Sequence, residues 1–317
     1  MKALVTGASG KIGMELVTKL VKFGFSVHAL SSKNSFREKQ EVTVIPHNWS
    51  QKFSGQLPDV DVIFHLASQT SAYKARQNIS NDIETNLLST VSILEAASRF
   101  KVAPMFISAG SMTEYGLQSS SHIDEDVPLQ PLTFYDTAKI SSELYIQQFA
   151  RENMISKGIT LRLANIYGNS VLDKGVDRGF LDKTIIRAIY GETITVYGGG
   201  NFLRDYLYVT DAAEAFLMTF LNSSQLSDSV YNIGTGKGTS IIETLEMIVE
   251  KANQLTGLRS PIVHADFPQD SYSIERRNSI GDSSRFRNAT KWVPKVDLME
   301  GIQKTLEDIW ASTKNSS

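Results

Sequence analysis

Tyr135 and Lys139, in the run Tyr135-Asp136-Thr137-Ala138-Lys139, can do acid–base work if a helix carries them, because side chains four apart share one helical face. A phenol loses its proton near about pH 10, but an ammonium within about 4–6 Å favours the phenolate and makes the group a usable acid or base near neutrality. Such pairs also arise on helices by chance, so the reading needs a second feature. It is supplied by Thr6-Gly7-Ala8-Ser9-Gly10-Lys11-Ile12-Gly13, directly behind the apolar Ala3-Leu4-Val5 and directly before an amphipathic stretch. Strand, glycine loop and helix start, in that order, offer backbone N–H donors and the positive end of a helix dipole to a diphosphate, with few side chains in the way. The loop therefore reads as a dinucleotide cradle, with Gly7, Ser9, Gly10, Lys11, Ile12 and Gly13 as contacts; its glycines are spaced three and three rather than two and three.

Apolar runs and helical patterns alternate along the chain to hold these groups. Helices are expected over 16–23 (closing at Gly24), 83–100, 135–153 (after Pro131) and 211–222; strands are expected over 26–30, 60–67, 105–108 and 159–164. That rhythm predicts an α/β chain of Rossmann type, a doubly wound parallel sheet binding its ligands beyond the carboxyl ends of the strands. After about residue 236 the rhythm weakens into helices and loops rich in Pro, Asp, Ser and Arg, which reads as a smaller C-terminal substrate-binding lobe. The expected division is 1–165, with 205–235 returning to it, against 166–204 and 236–317. With 41% hydrophobic residues and a net charge of −2, the chain is neither disordered nor a nucleic-acid binder. The absence of cysteine excludes disulfides, thiolate metal sites and a cysteine nucleophile, and no metal is expected. No stretch approaches the roughly 20 apolar residues of a membrane span and no signal peptide is evident, so no membrane contact and a cytoplasmic location are expected.

The motifs, taken in order, resemble those of the extended short-chain dehydrogenase/reductases, the NAD(P)-dependent epimerases, dehydratases and reductases of nucleotide sugars. The resemblance rests on the glycine loop, His65-Leu66-Ala67, Asn86 with Leu94-Glu95-Ala96, Ser108 to Gly116, and Tyr135 with Lys139. It continues through Arg162 to Gly168, Arg204 to Asp211 and Tyr231 to Gly234. It implies a catalytic hydroxyl four residues before Tyr115-Gly116, which is Ser111, with Ser108 as the neighbouring alternative. Tyr135 would pass a proton and Lys139 would also grip the nicotinamide ribose. Leu66, Ala67 and Asn86 would lie by the cofactor, with His65 in a structural role. Asn165 and Arg204 resemble diphosphate contacts, a guanidinium fork suiting phosphate oxygens; the plain alternative for Arg204 is a surface pair with a carboxylate. Tyr197 resembles a nucleobase-stacking aromatic or else a packing plug, Lys183 and either Arg276 or Arg277 resemble further phosphate contacts, and Asp211 reads as a helix N-cap. Homodimerisation through the 83–100 and 135–153 helices is implied as well.

Departures from the pattern narrow the reaction. Dehydratases of this group carry an Asp-Glu pair after the catalytic hydroxyl; here Met112 and Thr113 stand there, and Glu114 lies one residue too far, expected to point elsewhere. The usual acidic residue of the adenine-binding loop is replaced around His47-Asn48. The second strand ends Ala29-Leu30-Ser31-Ser32-Lys33-Asn34, with no carboxylate for a ribose 2′-hydroxyl. Ser31, Ser32 and Lys33 would suit a 2′-phosphate, so NADP(H) is favoured and NAD(H) remains possible. An exchanging NADPH tilts the expectation towards a nucleotide-linked 4-keto-6-deoxyhexose reductase. The alternatives are a 4-epimerase with tightly held NAD and, remotely, a non-catalytic dinucleotide sensor.

Overall fold

The computed structural model describes residues 1–32, 40–48, 53, 55–168 and 179–314. Seven strands form one sheet: β1 (Lys2–Thr6), β2 (Ser26–Ser31), β3 (Val42–Pro46), β4 (Val62–His65), β5 (Met105–Ser111), β6 (Lys157–Leu163) and β7 (Val230–Ile233). Their order is β7-β6-β5-β4-β1-β2-β3, and every neighbouring pair is parallel. The direction of winding reverses between β1 and β4, which opens a crevice at their carboxyl ends where such sheets bind ligands. A strand points successive side chains to opposite faces. Accordingly Ala3 and Val5 join one apolar layer with Leu16, Val17 and Leu20 of α1 (Lys11–Lys22), together with Ala212 and Phe216 of the 209–221 helix. Leu4, Ile63 and Phe106 join the other layer, with Ile93 and Leu94 of the 89–97 helix and Ile146 of α2 (Phe134–Arg151).

β5 runs three residues beyond its expected end, which places Ser111 at its tip. β3 carries no strand expectation from the sequence. The predicted 83–100 helix is instead a π-helix over Ile83–Leu88 followed by α-helix over Ser89–Ala97. Thr85, Ser89 and Thr90 each donate to a carbonyl four residues back, competing with the regular ladder along this stretch.

A second apolar core lies among the helices over 179–189, 241–256 and 298–314. Tyr206 and Tyr208 pack there while Leu207 between them packs in the first core; 206–208 pairs in parallel with 165–167, and the 209–221 helix follows directly. That helix starts at Val209, which places Asp211 inside the first turn and not at the N-cap. Its Oδ2 accepts the amides of Lys295 and Val296, both at 2.9 Å, and so pins the 292–296 segment instead.

Candidate active site

The glycine loop folds as the chemistry requires. Gly7 has φ +64°, and a Cβ there would lie 2.7 Å from the Ala67 nitrogen; one at Gly13 would lie 2.3 Å from the Gly7 carbonyl oxygen. The crossing of β1, α1 and the 66–67 segment is therefore closed to any larger residue. α1 begins at Gly10 with no side-chain cap, leaving its first N–H groups for an anion. Loop and helix start fit a dinucleotide diphosphate on this geometry. The Lys11 ammonium is engaged by Asp182, which is buried in the 179–189 helix, so its side chain ties the loop to the second lobe. Ile12 packs between the two cores. Leu66 and Ala67 donate their amides to the Thr6 hydroxyl. Ser31 is buried at the end of β2 and Ser32 is exposed; Lys33 lies outside the described residues.

Asn86 spends its side chain on the loop beside it. Its side-chain amide donates to Asp82 Oδ1 and the Gln69 carbonyl and accepts from the Ser68 hydroxyl and the Gln69 amide. All four of its capacities are spent on the chain itself, so it shapes the 68–69 loop rather than offering a side-chain contact to a cofactor. His65 is buried between the Thr6 and Thr90 hydroxyls, and burial pulls its pKa down to about 3, so the ring stays neutral.

Ser111, Tyr135 and Lys139 come together where β5 meets the start of α2. Ser111 caps a 3-10 turn over Met112–Tyr115, and Thr133 caps α2 one residue before Phe134. Burial and the charge of Glu114 push the Tyr135 phenol above its ordinary range, while a hydrogen bond from Ser111 opposes them. That corrects the expectation of a phenol simply lowered by its lysine. Burial pulls Lys139 down, and Glu114, Glu143 and Asp82 hold it up; Glu114 and Asp82, with Asp136, also raise the phenol. Ser108, the alternative hydroxyl, is buried and bonded to Thr160 at 2.9 Å, a strand-to-strand contact.

The layer beneath was not legible as a site. Glu114 is fully buried; its Oε1 accepts the Ser111 amide at 2.6 Å, and its Oε2 has no hydrogen bond but lies 3.3 Å from Arg162 Nε. Arg162 is held by both oxygens of Glu143, at 3.1 and 2.7 Å, and donates to the Tyr115 hydroxyl at 2.8 Å. Glu114 does turn away from solvent, yet it sits against the acid–base pair. The Ser-x-x-Glu spacing of a capping box was the signal that could have found it.

On the opposite side, Arg204 is 5% exposed and forms no salt bridge among the described residues, which removes the surface-pair reading. Its guanidinium donates only to the carbonyls of Leu203, Glu275 and Arg277. Arg277, also buried, reaches the Ile274 carbonyl and Asn165 Oδ1, and its Nε has no hydrogen-bond partner. Burial and Arg277 lower the pKa of Arg204 to about 9. Two cations are thus held side by side with no salt bridge to either among the described residues, Glu275 and Asp136 acting on them without forming an ion pair. Arg276 is exposed, with its guanidinium 4.2 Å from the centre of the Phe267 ring. Tyr197 is 42% exposed and stacks one face on Phe267 at 6.1 Å. Lys183 is exposed on the 179–189 helix. Asp205, a residue the sequence left without a role, accepts the amides of Thr235, Gly236 and Gly281 and so fixes the loop after β7.

A family model described as the NAD dependent epimerase/dehydratase family matches residues 3–234. The chain belongs to that family. It is 28% identical to a UDP-glucose 4-epimerase of Mycolicibacterium smegmatis, over 97% of this chain and 98% of that protein. It is 24% identical to a dTDP-4-dehydro-6-deoxyglucose reductase of Escherichia coli, over 96% of both. The solved UDP-glucose 4-epimerase of Thermotoga maritima, determined with UDP-glucose, superposes with a TM-score of 0.84 at 28% identity, covering 99% of this chain and all of that one. The family is NAD-dependent by its description, and its members include nucleotide-sugar epimerases and reductases.

Proposed function

We propose that the protein interconverts nucleotide sugars at carbon 4 as a 4-epimerase. The observation that carries this reading is the pair of buried guanidiniums of Arg204 and Arg277, which have no salt-bridge partner among the described residues, beside Asn165. Arg204, Arg277 and Asn165 hold the substrate diphosphate, and Tyr197 offers its free face to the base. Ser111 and Tyr135 hold the C4 oxygen; Tyr135 takes its proton on oxidation and returns it on reduction, with Lys139 setting the charge behind it. A nicotinamide dinucleotide on the glycine loop supplies hydride uptake and return. Met112 and Thr113 offer no acid–base pair for eliminating water, which separates the reading from dehydration. Exposed apolar residues on the 83–88 segment and α2, namely Ile83, Leu88, Leu144 and Tyr145, suit a second copy of the chain.

A second reading, reduction of a nucleotide-linked 4-keto-6-deoxyhexose with NADPH, is supported by β2 ending in Ser31 and Ser32 with no carboxylate. Incubation with UDP-glucose and UDP-galactose as probes, followed by proton NMR, separates the two. Interconversion without added dinucleotide supports the epimerase. Stoichiometric NADPH oxidation by a 4-keto-6-deoxy sugar nucleotide, without interconversion, supports the reductase. Absence of both activities contradicts both readings.

A further inference from the structure

Arg76 lies outside the site described so far, and four groups converge on it. Its guanidinium donates to the Asp270 carbonyl at 2.7 Å and to Asp270 Oδ2 at 3.0 Å. Its central carbon lies 4.7 Å from the centre of the Tyr272 ring and 5.3 Å from that of Tyr73, and the two rings are 5.4 Å apart. A planar cation takes acceptors in its plane and rings on its faces at once, which an ammonium does not. The near side of this contact is fixed. Arg76 belongs to the helix Ala72–Gln77, capped by Ser71, and Gln69 ties Ser71 to Asp82 and so to the amide of Asn86. The chain reaches that helix directly from Leu66 and Ala67, whose amides are bound to Thr6 beside the glycine loop. On the far side, Asp270 and Tyr272 lead into the turn that places the two buried arginines. The carbonyls of Glu275 and Arg277 hold Arg204, and that of Ile274 holds Arg277. Upstream, Phe267 is packed against Tyr197, Phe202 and Arg276 without help from Arg76. The 267–277 segment thus runs from the aromatic cluster of Tyr197 to the arginine pair, and Arg76 grips it in between.

We propose that Arg76 is a positioning residue for the substrate diphosphate: by clamping Asp270 and Tyr272 it holds the 274–277 turn, and with it Arg204 and Arg277, where the diphosphate is received. This inference rests on the nucleotide-sugar reading above. Arg76 touches neither substrate nor cofactor; it acts on the two arginines through the backbone that carries their acceptors. Without the clamp the turn is free to leave that position, and a diphosphate has to order it on binding, which lowers affinity. The base end of the segment keeps its own anchor in Phe267, so the cost falls on the diphosphate and not on the nucleoside.

Arg76 is half-buried at the surface, so Arg76→Ala folds, with a thermal midpoint close to that of wild type. The test is calorimetric binding of uridine diphosphate and of uridine to both proteins, with steady-state kinetics on the sugar nucleotide that the wild type turns over. Loss of two ring contacts and one ion pair weakens the Kd for uridine diphosphate by about 10-fold, while the Kd for uridine moves by less than about 2-fold. KM rises by about 10-fold and kcat stays within about 3-fold, because the clamp serves binding and not the chemical step. An Arg76→Ala protein that binds uridine diphosphate as tightly as wild type overturns the clamp and leaves the nucleotide-sugar reading standing. Equal losses for uridine and its diphosphate overturn the clamp as well, since they report a general loosening. A wild-type protein that binds no uridine diphosphate and turns over no nucleotide sugar overturns the reading on which the clamp rests.

Discussion

Arg162 and Arg204 are both 5% exposed, on one molecule, and they live in opposite electrostatic worlds. Arg162 has Glu143 on two of its nitrogens and Glu114 close by, and these carboxylates hold it above its ordinary pKa despite burial. Arg204 donates to three carbonyls, and burial with the like charge of Arg277 outweighs Glu275 and pulls it below its own ordinary value. Desolvating a charge is costly unless it is paired. The balanced cluster is complete in itself and supports the acid–base residues. The unbalanced pair is left in deficit, which a ligand with two phosphates would make good.

The largest test of this contrast removes one arginine from each side. Arg162→Met leaves Glu114 and Glu143 buried without their cation and destabilises the fold by about 3–5 kcal/mol in urea unfolding. Arg277→Met removes a charge that has no salt-bridge partner among the described residues, so stability stays within about 1 kcal/mol of wild type. Equal losses for the two variants would break the distinction. Chemistry is affected in the reverse order of stability: Tyr135→Phe keeps the fold and lowers kcat by about 100- to 10,000-fold, measured against an unchanged thermal midpoint.

Glu114 gives the intermediate effect. Burial, with Glu143 beside it, raises its pKa to about 8. The native state then binds a proton that the unfolded chain releases between about pH 4.5 and 8. Folding stability contributed by this site is present at low pH and is lost as pH rises through that window. Glu114→Gln removes the slope, seen as a flatter dependence of the urea midpoint on pH. The same variant takes a negative charge from the phenol, so the ionisation of Tyr135 moves to lower pH and the basic limb of the kcat profile follows it. A limb that stays in place would detach Glu114 from the acid–base pair.

Much of this contrast follows sequence distance. The cradle is legible because its order of strand, loop and helix is printed in the chain and Gly13 is required by the backbone of Gly7 and Ala8, although the Leu66–Ala67 backbone that requires Gly7 is far away in sequence. The parallel sheet was legible from the same alternation of apolar runs. The layer under Tyr135 joins Glu114, Glu143 and Arg162 across three elements, and charged residues in sequence carry no mark of burial. Arg204 and Arg277 became a pair only when the 203–204 and 273–277 segments closed on each other. The π-helix over Ile83–Leu88 escaped notice because its apolar pattern does not distinguish i→i−4 from i→i−5 bonding. Asn86 shows the remaining gap: its motif position was readable, but the four bonds that occupy its amide were not.

The most direct measurement is calorimetric binding of uridine diphosphate and of uridine to the wild-type protein and to Arg277→Met. The account predicts that the diphosphate tightens binding by about 100-fold or more in wild type, and that Arg277→Met loses about 10-fold or more of that advantage while its affinity for uridine is unchanged. Equal affinities for uridine and its diphosphate in the wild-type protein would contradict the claim that the unbalanced arginines await an anion.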